Sequence, residues 1–394
     1  MPASHSRRSD ATTYVQTLTA ARRVEQALAS ASSVALDCEA AGFHRYSDRL
    51  CLVQLSTPGE TFVIDPLAID AARCLKPFLE DPGRRVVMHG GAYDLRLLAR
   101  DLGITVASLA DTQVAASLLG EAAVGLQALL ERHLGVRVSK RFQRADWAKR
   151  PLTREMIDYA AGDTRHLHGL IAILEGALGS KGRLHWAEEE YRRLAASAAD
   201  GAEDEPPPDP VTRFKHARRM DDRSVTALRE VIAWRDRIAR ARDRAPFRVV
   251  GDAALAEVVA VRPASVGALA AVRGFPARLA HTRGLSLLDA LVRVDRMPAS
   301  ELSPYPAPTR RGARPTPEEE AAFERLKGVR NDAARRFQLE RGRMMANHVL
   351  REIVAVGPQS RDELAAIPDV RQWQVDMIGQ ELLNGLNRDP GHAR

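Results

Sequence analysis

Ser33-Val34-Ala35-Leu36-Asp37-Cys38-Glu39-Ala40 is an apolar run broken by two carboxylates. Its small and β-branched residues read as a buried strand, and residues two apart on a strand share one face. Asp37 and Glu39 therefore project together, while Cys38 turns to the opposite face and reads as core. Residues 50–56, 61–65 and 85–89 are further short apolar runs, and Thr57-Pro58-Gly59-Glu60 joins the middle two as a hairpin. Helical periodicity follows over 71–80, 93–102, 112–119, 124–134 and 153–178. Hairpin strands first and helices crossing over later predict an α/β unit, a mixed sheet covered by helices.

Three more polar residues join this pattern. Asp94 follows the apolar run Arg85 to Met88 and the turn His89-Gly90-Gly91. Tyr159 and Asp163 lie four apart in a helical stretch and so share a helix face. Carboxylates brought together repel one another and cost stability unless a cation sits among them. Oxygen-only donors suit a hard ion such as Mg²⁺ or Mn²⁺, and two such ions clamp a phosphodiester for in-line attack. Asp-x-Glu or Tyr-x-x-x-Asp alone carries little weight; the case rests on their conjunction.

At 394 residues the chain exceeds one ordinary core and implies two or three domains. No apolar run approaches the roughly 20 residues a membrane helix needs, which excludes an α-helical membrane protein. The start, Met1 to Arg8, has no apolar stretch behind its arginines, and Cys38, Cys51 and Cys74 lack metal-ligand spacing. They read as reduced, buried thiols, so the expected location is the cytoplasm. Charge is unevenly placed. Residues 1–200 hold 25 Lys/Arg against 24 Asp/Glu, whereas residues 211–394 hold 33 against 23. A basic second half suits polyanion-binding modules, with arginine-rich coding bias as the alternative source.

Two breaks divide the chain. Residues 201–210 are acidic and proline-rich and read as a linker, and 298–317 form a second proline-rich linker. They separate units at 1–200, 211–297 and 318–390. The last two show no strand pattern and share an order of elements. Each opens with a long basic helix (around Trp234 and around Leu326) and passes a proline turn (Arg262-Pro263; Gly357-Pro358). Each closes with a loop and a final helix. That order predicts a duplicated all-α module.

With these motifs in place, the chain resembles the ribonuclease D family of the DEDD exonuclease superfamily, in its tyrosine subclass. The match runs through Leu36-Asp37-Cys38-Glu39, His89-Gly90-Gly91-Ala92-Tyr93-Asp94 and Tyr159-Ala160-Ala161-Gly162-Asp163. Cys51 to Ser56 and Asp146 to Leu152 are similar as well. The sister subclass carries a histidine where this chain has Asp158. The two helical modules are similar to HRDC domains, most clearly at Trp234 to Arg240, the second being more divergent. The resemblance implies a ribonuclease H-like nuclease fold followed by two HRDC-like domains. It also implies 3′→5′ removal of nucleoside 5′-monophosphates from RNA, 3′-extended tRNA precursors in particular.

Roles follow from the resemblance. Asp37 would bridge two divalent ions. Glu39 and Asp163 would complete the site of the ion that activates water, and Asp94 would hold the second ion. Tyr159 would position the water through its hydroxyl, since a phenol with a pKa near 10 is a poor base at neutral pH. Four other readings are weaker. Asp111 should cap the helix after it, His89 should pack or hydrogen-bond, and Gln54 could meet a nucleotide. Lys140-Arg141-Phe142-Gln143-Arg144 is either a phosphate grip or a solvated basic loop. An exonuclease acting mainly on DNA or on structured RNA decay intermediates and a catalytically decayed nucleic-acid-binding adaptor are the rival functions, and an intact set of five residues argues against the second. No membrane partner is expected, and a monomer is slightly favoured over an oligomer.

Overall fold

The computed structural model describes residues 12–200, 209–306 and 315–387. Six strands form one mixed sheet: β1 (Thr12–Val15), β2 (Ser33–Ala40), β3 (Leu50–Ser56), β4 (Thr61–Ile64), β5 (Arg85–Met88) and β6 (Leu109–Asp111). Their spatial order is β1-β4-β3-β2-β5-β6. β2, β3 and β4 pair antiparallel in turn, and β1, β5 and β6 add parallel to β4, β2 and β5. The mixed sheet and its hairpin are thus as the sequence predicts. The register sets Asp37 opposite Gln54 and Glu39 opposite Leu52, then shifts at Glu39/Ala40. That irregularity ends β2 and releases the chain into loop 41–49.

Eight helices accompany the sheet: α1 (Leu18–Ser30), α2 (Ala71–Leu79), α3 (Ala92–Leu97), α4 (Thr112–Leu119), α5 (Leu126–Leu134), α6 (Arg154–Arg165), α7 (Leu167–Ser180) and α8 (Leu184–Asp200). Alternation decides which face each covers. Cys51, Leu52 and Val63 pack against Ile157, Ala160 and Ala161 of α6 and against Trp147. Val53, Leu55, Phe62 and Ile64 face the larger core built with the other helices. All three cysteines are free and buried, as read from the sequence.

Two predicted helices are corrected. The stretch 153–178 is two helices, because the backbone at His166 turns to φ −105°, ψ −2°. The break lets α6 cover one face of the sheet while α7 buries Leu170 and Leu174 on the other. The stretch 93–102 is α3 followed by a π turn, Leu98–Leu102, which Gly103 ends at φ +62°. Asp101 in that widened turn accepts the Leu50 N–H at 2.6 Å and so holds the start of β3. β1, β6, α1 and α8 went unread: the strands have four and three residues, too few for a periodic signal, and the helices are alanine- and arginine-rich.

Beyond residue 209 the described residues contain no strand. The first module holds α9 (Asp222–Ala241), α10 (Pro246–Val249), α11 (Asp252–Val261), α12 (Val266–Ala271) and α13 (Ala277–Arg296). The second holds α14 (Pro317–Phe337), α15 (Arg341–Met344), α16 (Asn347–Val356), α17 (Arg361–Ala365) and α18 (Gln372–Leu386). Their duplication is exact in its buried polar groups. Arg235 donates to the Val250 carbonyl (2.8 Å) and to Asp252 (2.6 Å); Arg330 donates to the Met345 carbonyl (2.7 Å) and to Asn347 (3.2 Å). Ser265 and Ser360 cap α12 and α17. A Cβ on Gly284 would meet Leu269 at 2.9 Å, and one on Gly379 would meet Leu364 at 3.5 Å. All of these pairs stand at one constant interval along the chain.

The modules pack differently. The core of the second runs into that of the nuclease sheet, whereas the first has a core of its own that Tyr46 borders. Residues 201–208 and 307–314 of the two predicted linkers, and 388–390 of the last unit, lie outside the described residues. The linker flanks already belong to folded structure: Asp209 pairs with Arg229 at 2.7 Å, and Pro317 starts α14 behind the Thr316–Glu319 capping box. No helix among the described residues is long and apolar enough to cross a membrane.

Candidate active site

β2 delivers Asp37 and Glu39, α6 delivers Tyr159 and Asp163, and the first turn of α3 delivers Asp94. Carboxylate oxygens of Asp37, Glu39 and Asp163 lie within 4.8 Å of one another. Asp94, only 7% exposed, stands outside that trio but within reach of the Asp37 charge.

The turn before α3 explains its placement. Gly90 takes φ +65°, and a Cβ on Gly91 would press on the Met88 sulfur at 2.9 Å. Asp111 accepts the Gly90 and Gly91 N–H groups (3.1 and 2.8 Å) as well as those of Gln113 and Val114 (2.8 and 3.0 Å). It therefore caps α4, as predicted, and also fixes the turn that aims Asp94. His89 meets the Thr112 hydroxyl at 2.8 Å, a hydrogen-bonding histidine as expected.

The electrostatics are those of an uncompensated acidic cluster. Burial pushes the Asp37 carboxyl up to about 6. Burial, followed by the Asp37 charge, pushes Asp163 and Asp94 each up to about 8, with Asp111 adding to the latter. Glu39 rises well above the carboxylate range through burial and then through Asp37, Asp163 and Asp94. Among the described residues no lysine, arginine or histidine pairs with any of the four. Hard, oxygen-only donors short of positive charge fit divalent cations.

Tyr159 lies edge-on to Phe142 (5.8 Å between centroids) and stacked with Trp147 (6.1 Å). Burial and then the charges of Asp163, Glu39 and Asp37 lift its phenol further above 10. At neutral pH the hydroxyl keeps its proton, so it can donate a hydrogen bond but is no base.

Two expectations change. Gln54 is fully buried beside Asp37, and neither amide atom has a partner among the described residues. Covered by α6, it is closed to a nucleotide. The Lys140–Arg144 stretch is more than a solvated loop, since Phe142 supports Tyr159 and Arg144 lies 5.6 Å over the ring of Phe43. Phe43 itself escaped the sequence reading. It sits four residues beyond Glu39 and lines, with Glu39, Gly42, Asp48 and Tyr93, a cleft of about 480 Å³. The available signal was an aromatic residue just past the end of a carboxylate-bearing strand.

Comparison with known proteins agrees with this geometry. The 3'-5' exonuclease family matches residues 12–178, and the HRDC domain family matches residues 225–291 and 319–386. A ribonuclease D from Gluconacetobacter diazotrophicus is 34% identical over 288 residues, 72% of each chain. One from Granulibacter bethesdensis is 30% identical over 361 residues, 89% of this chain and 86% of the relative. The crystal structure of Escherichia coli RNase D, described as an exoribonuclease involved in structured RNA processing, superposes with a TM-score of 0.68 at 25% identity. It covers 95% of this chain and 98% of that one. The catalytic core of RRP6 from Trypanosoma brucei superposes at 0.63 and 25%, over 74% and 81%. On fold, acidic cluster and relatives together, the chain belongs to the ribonuclease D family and is a 3′→5′ exoribonuclease with a ribonuclease H-like nuclease domain followed by HRDC domains.

Proposed function

We propose that Asp37, Glu39, Asp94 and Asp163 hold two divalent cations, Mg²⁺ or Mn²⁺. With Tyr159 they trim the 3′ ends of precursor tRNA and other small RNAs, releasing nucleoside 5′-monophosphates. The observation that carries this is the acidic cluster, three of its carboxylates within 4.8 Å, with no cationic side chain among the described residues to balance it. Bound there, such ions would lower the pKa of an attacking water and stabilise charge on the departing 3′ oxygen. Asp37, whose charge acts on Glu39, Asp94 and Asp163, would be a ligand shared by both ions. Glu39 and Asp163 flank it, and Asp94 faces it from α3. Tyr159, one helical turn before Asp163, would orient the attacking water through its hydroxyl.

Precursor tRNA as substrate is supported by the basic residues 211–394 and by the structured-RNA role described for the E. coli relative. We divide the chain accordingly into a nuclease at 1–200 and modules at 211–297 and 318–390, joined by 201–210 and 298–317. The test is degradation of a 3′-extended tRNA, resolved by nucleotide, with and without divalent cation, beside single-stranded DNA. Stepwise mononucleotide release that needs the cation and favours RNA is expected. Asp37→Asn should abolish it without unfolding the protein, and wild-type turnover by that variant would sink the site assignment. Tyr159→Phe keeps the ring between Phe142 and Trp147 and should lower turnover on the order of 10²-fold. Collapse of cation affinity in that variant would make Tyr159 a structural support instead.

A further inference from the structure

We infer that Phe247 and Arg248 of the first helical module form a stacking site for single-stranded RNA, on the segment that precedes the nucleotide being removed. This inference rests on the RNA-degrading reading of the carboxylate cluster. α10 presents Phe247 half exposed, and its ring centroid lies 5.5 Å from that of Phe43, itself 38% exposed. Phe43 lines the same cleft as Glu39, so the pair of rings continues outward from the carboxylates. Two partly exposed aromatic rings side by side leave apolar surface in water.

Cations surround them. The Arg248 guanidinium lies 4.7 Å from the centroid of Phe43 and 5.8 Å from that of Phe247, and the Arg144 guanidinium lies 5.6 Å from that of Phe43. Rings for bases and guanidinium groups for phosphates are the two components of a sequence-tolerant single-strand site.

The placement is built rather than accidental. Arg248 Nε donates to the Phe43 carbonyl at 2.7 Å, and the Ala245 N–H donates to the His44 carbonyl at 3.0 Å. His44 Nε2 in turn meets the Arg144 carbonyl at 2.8 Å. Backbone groups of loop 41–49, of α10 and of the 140–144 stretch therefore hold the two rings in register. A site shared between the nuclease sheet and the first module gives that module a contact with the substrate close to the carboxylates.

The test uses the full chain carrying Phe247→Ala, Phe247→Leu and Phe247→Trp. Single-stranded RNAs of three to ten nucleotides serve as substrates. In the alanine and leucine variants KM for the longest RNA should rise about 10-fold, with kcat little changed, and the rise should shrink as the RNA shortens. Tryptophan, which keeps a ring, should restore KM. Binding read without turnover gives an independent arm. In an Asp37→Asn background, RNA carrying 2-aminopurine a few nucleotides from its 3′ end should lose fluorescence on binding, and lose less of it when Phe247 is alanine. Equal KM at every length together with unchanged quenching would overturn the stacking site. If the unaltered protein failed to degrade RNA at all, the functional reading would fall, while the quenching arm would still decide the stacking site.

Discussion

Trp373 of the second module stacks on Trp186 of α8 with centroids 4.6 Å apart, while the first module meets the nuclease through Tyr46. The Tyr46 hydroxyl donates to Asp236 (3.0 Å) and accepts from Arg240 (2.9 Å). At the second junction, Glu189 of α8 accepts the N–H groups of Gln372 and Trp373 (2.7 and 3.1 Å), capping α18 from another domain. Glu190, buried, accepts from the Trp373 indole and from Arg371. At the first junction the partners are half-exposed: Arg45 with Asp243 at 3.5 Å, Tyr46 N–H with Asp243 at 3.2 Å, and Arg248 with the Phe43 carbonyl. One duplicated fold therefore serves two purposes. Apolar burial makes the second module part of the nuclease core, and polar contacts dock the first against loop 41–49.

Breaking the apolar junction should have the largest effect. Replacing Trp373, 1% exposed, by alanine removes its stack on Trp186 and leaves Glu190 with Arg371 alone, at a cost of about 3–5 kcal/mol. The first thermal transition should fall by many degrees, with α18 and α8 losing protection together in hydrogen exchange. Preserved protection in α8 would mean that the two cores are energetically separate.

A smaller effect is expected at the carboxylate end that the first module borders. Asp37, Asp94 and Asp163 have folded-state values of about 6, 8 and 8, above the roughly 4 of an unfolded chain. Between those values the folded state holds protons that the unfolded state has lost, so stability falls as pH rises from about 4 to 8. Metal-free protein should melt lower at pH 8 than at pH 5.5. Mg²⁺ or Mn²⁺ should reverse the trend at pH 8, and Asp37→Asn should flatten it. A metal-free melting curve that rises over that range would show that the cluster is balanced by some other charge.

The smallest effect belongs to the polar junction. Tyr46→Phe removes two half-exposed hydrogen bonds and should cost about 1 kcal/mol or less. Chymotrypsin should nonetheless cut loop 41–49 faster, because that loop loses an anchor. A thermal loss as large as that of Trp373→Ala would put the two junctions in one class.

The sequence was most legible where chemistry and periodicity coincide. Asp37 and Glu39 share a face because a strand repeats every two residues, and Tyr159 and Asp163 share one because a helix repeats every three to four. The module repeat was visible at Pro263 and Pro358, and the buried Arg235 and Arg330 give its physical basis. Less was legible where a residue's role depends on a distant partner. Asp111 reads as a cap from its neighbours alone, yet half of its bonds go to Gly90 and Gly91.

What the sequence by itself determined is local: which residues are acid, which segments are strand or helix, and which turns need glycine. Tertiary structure alone decided which module would join the nuclease core. Trp234 and Trp373 look equivalent as residue types, but Trp234 bonds within its own module, to Ser286, while Trp373 finds Glu190 and Trp186 across the junction. It also decided that Phe43 and Phe247, remote in sequence, would stand side by side. The physical reason is that burial and ion pairing depend on partners brought together by folding, and a chain does not advertise such partners along its length.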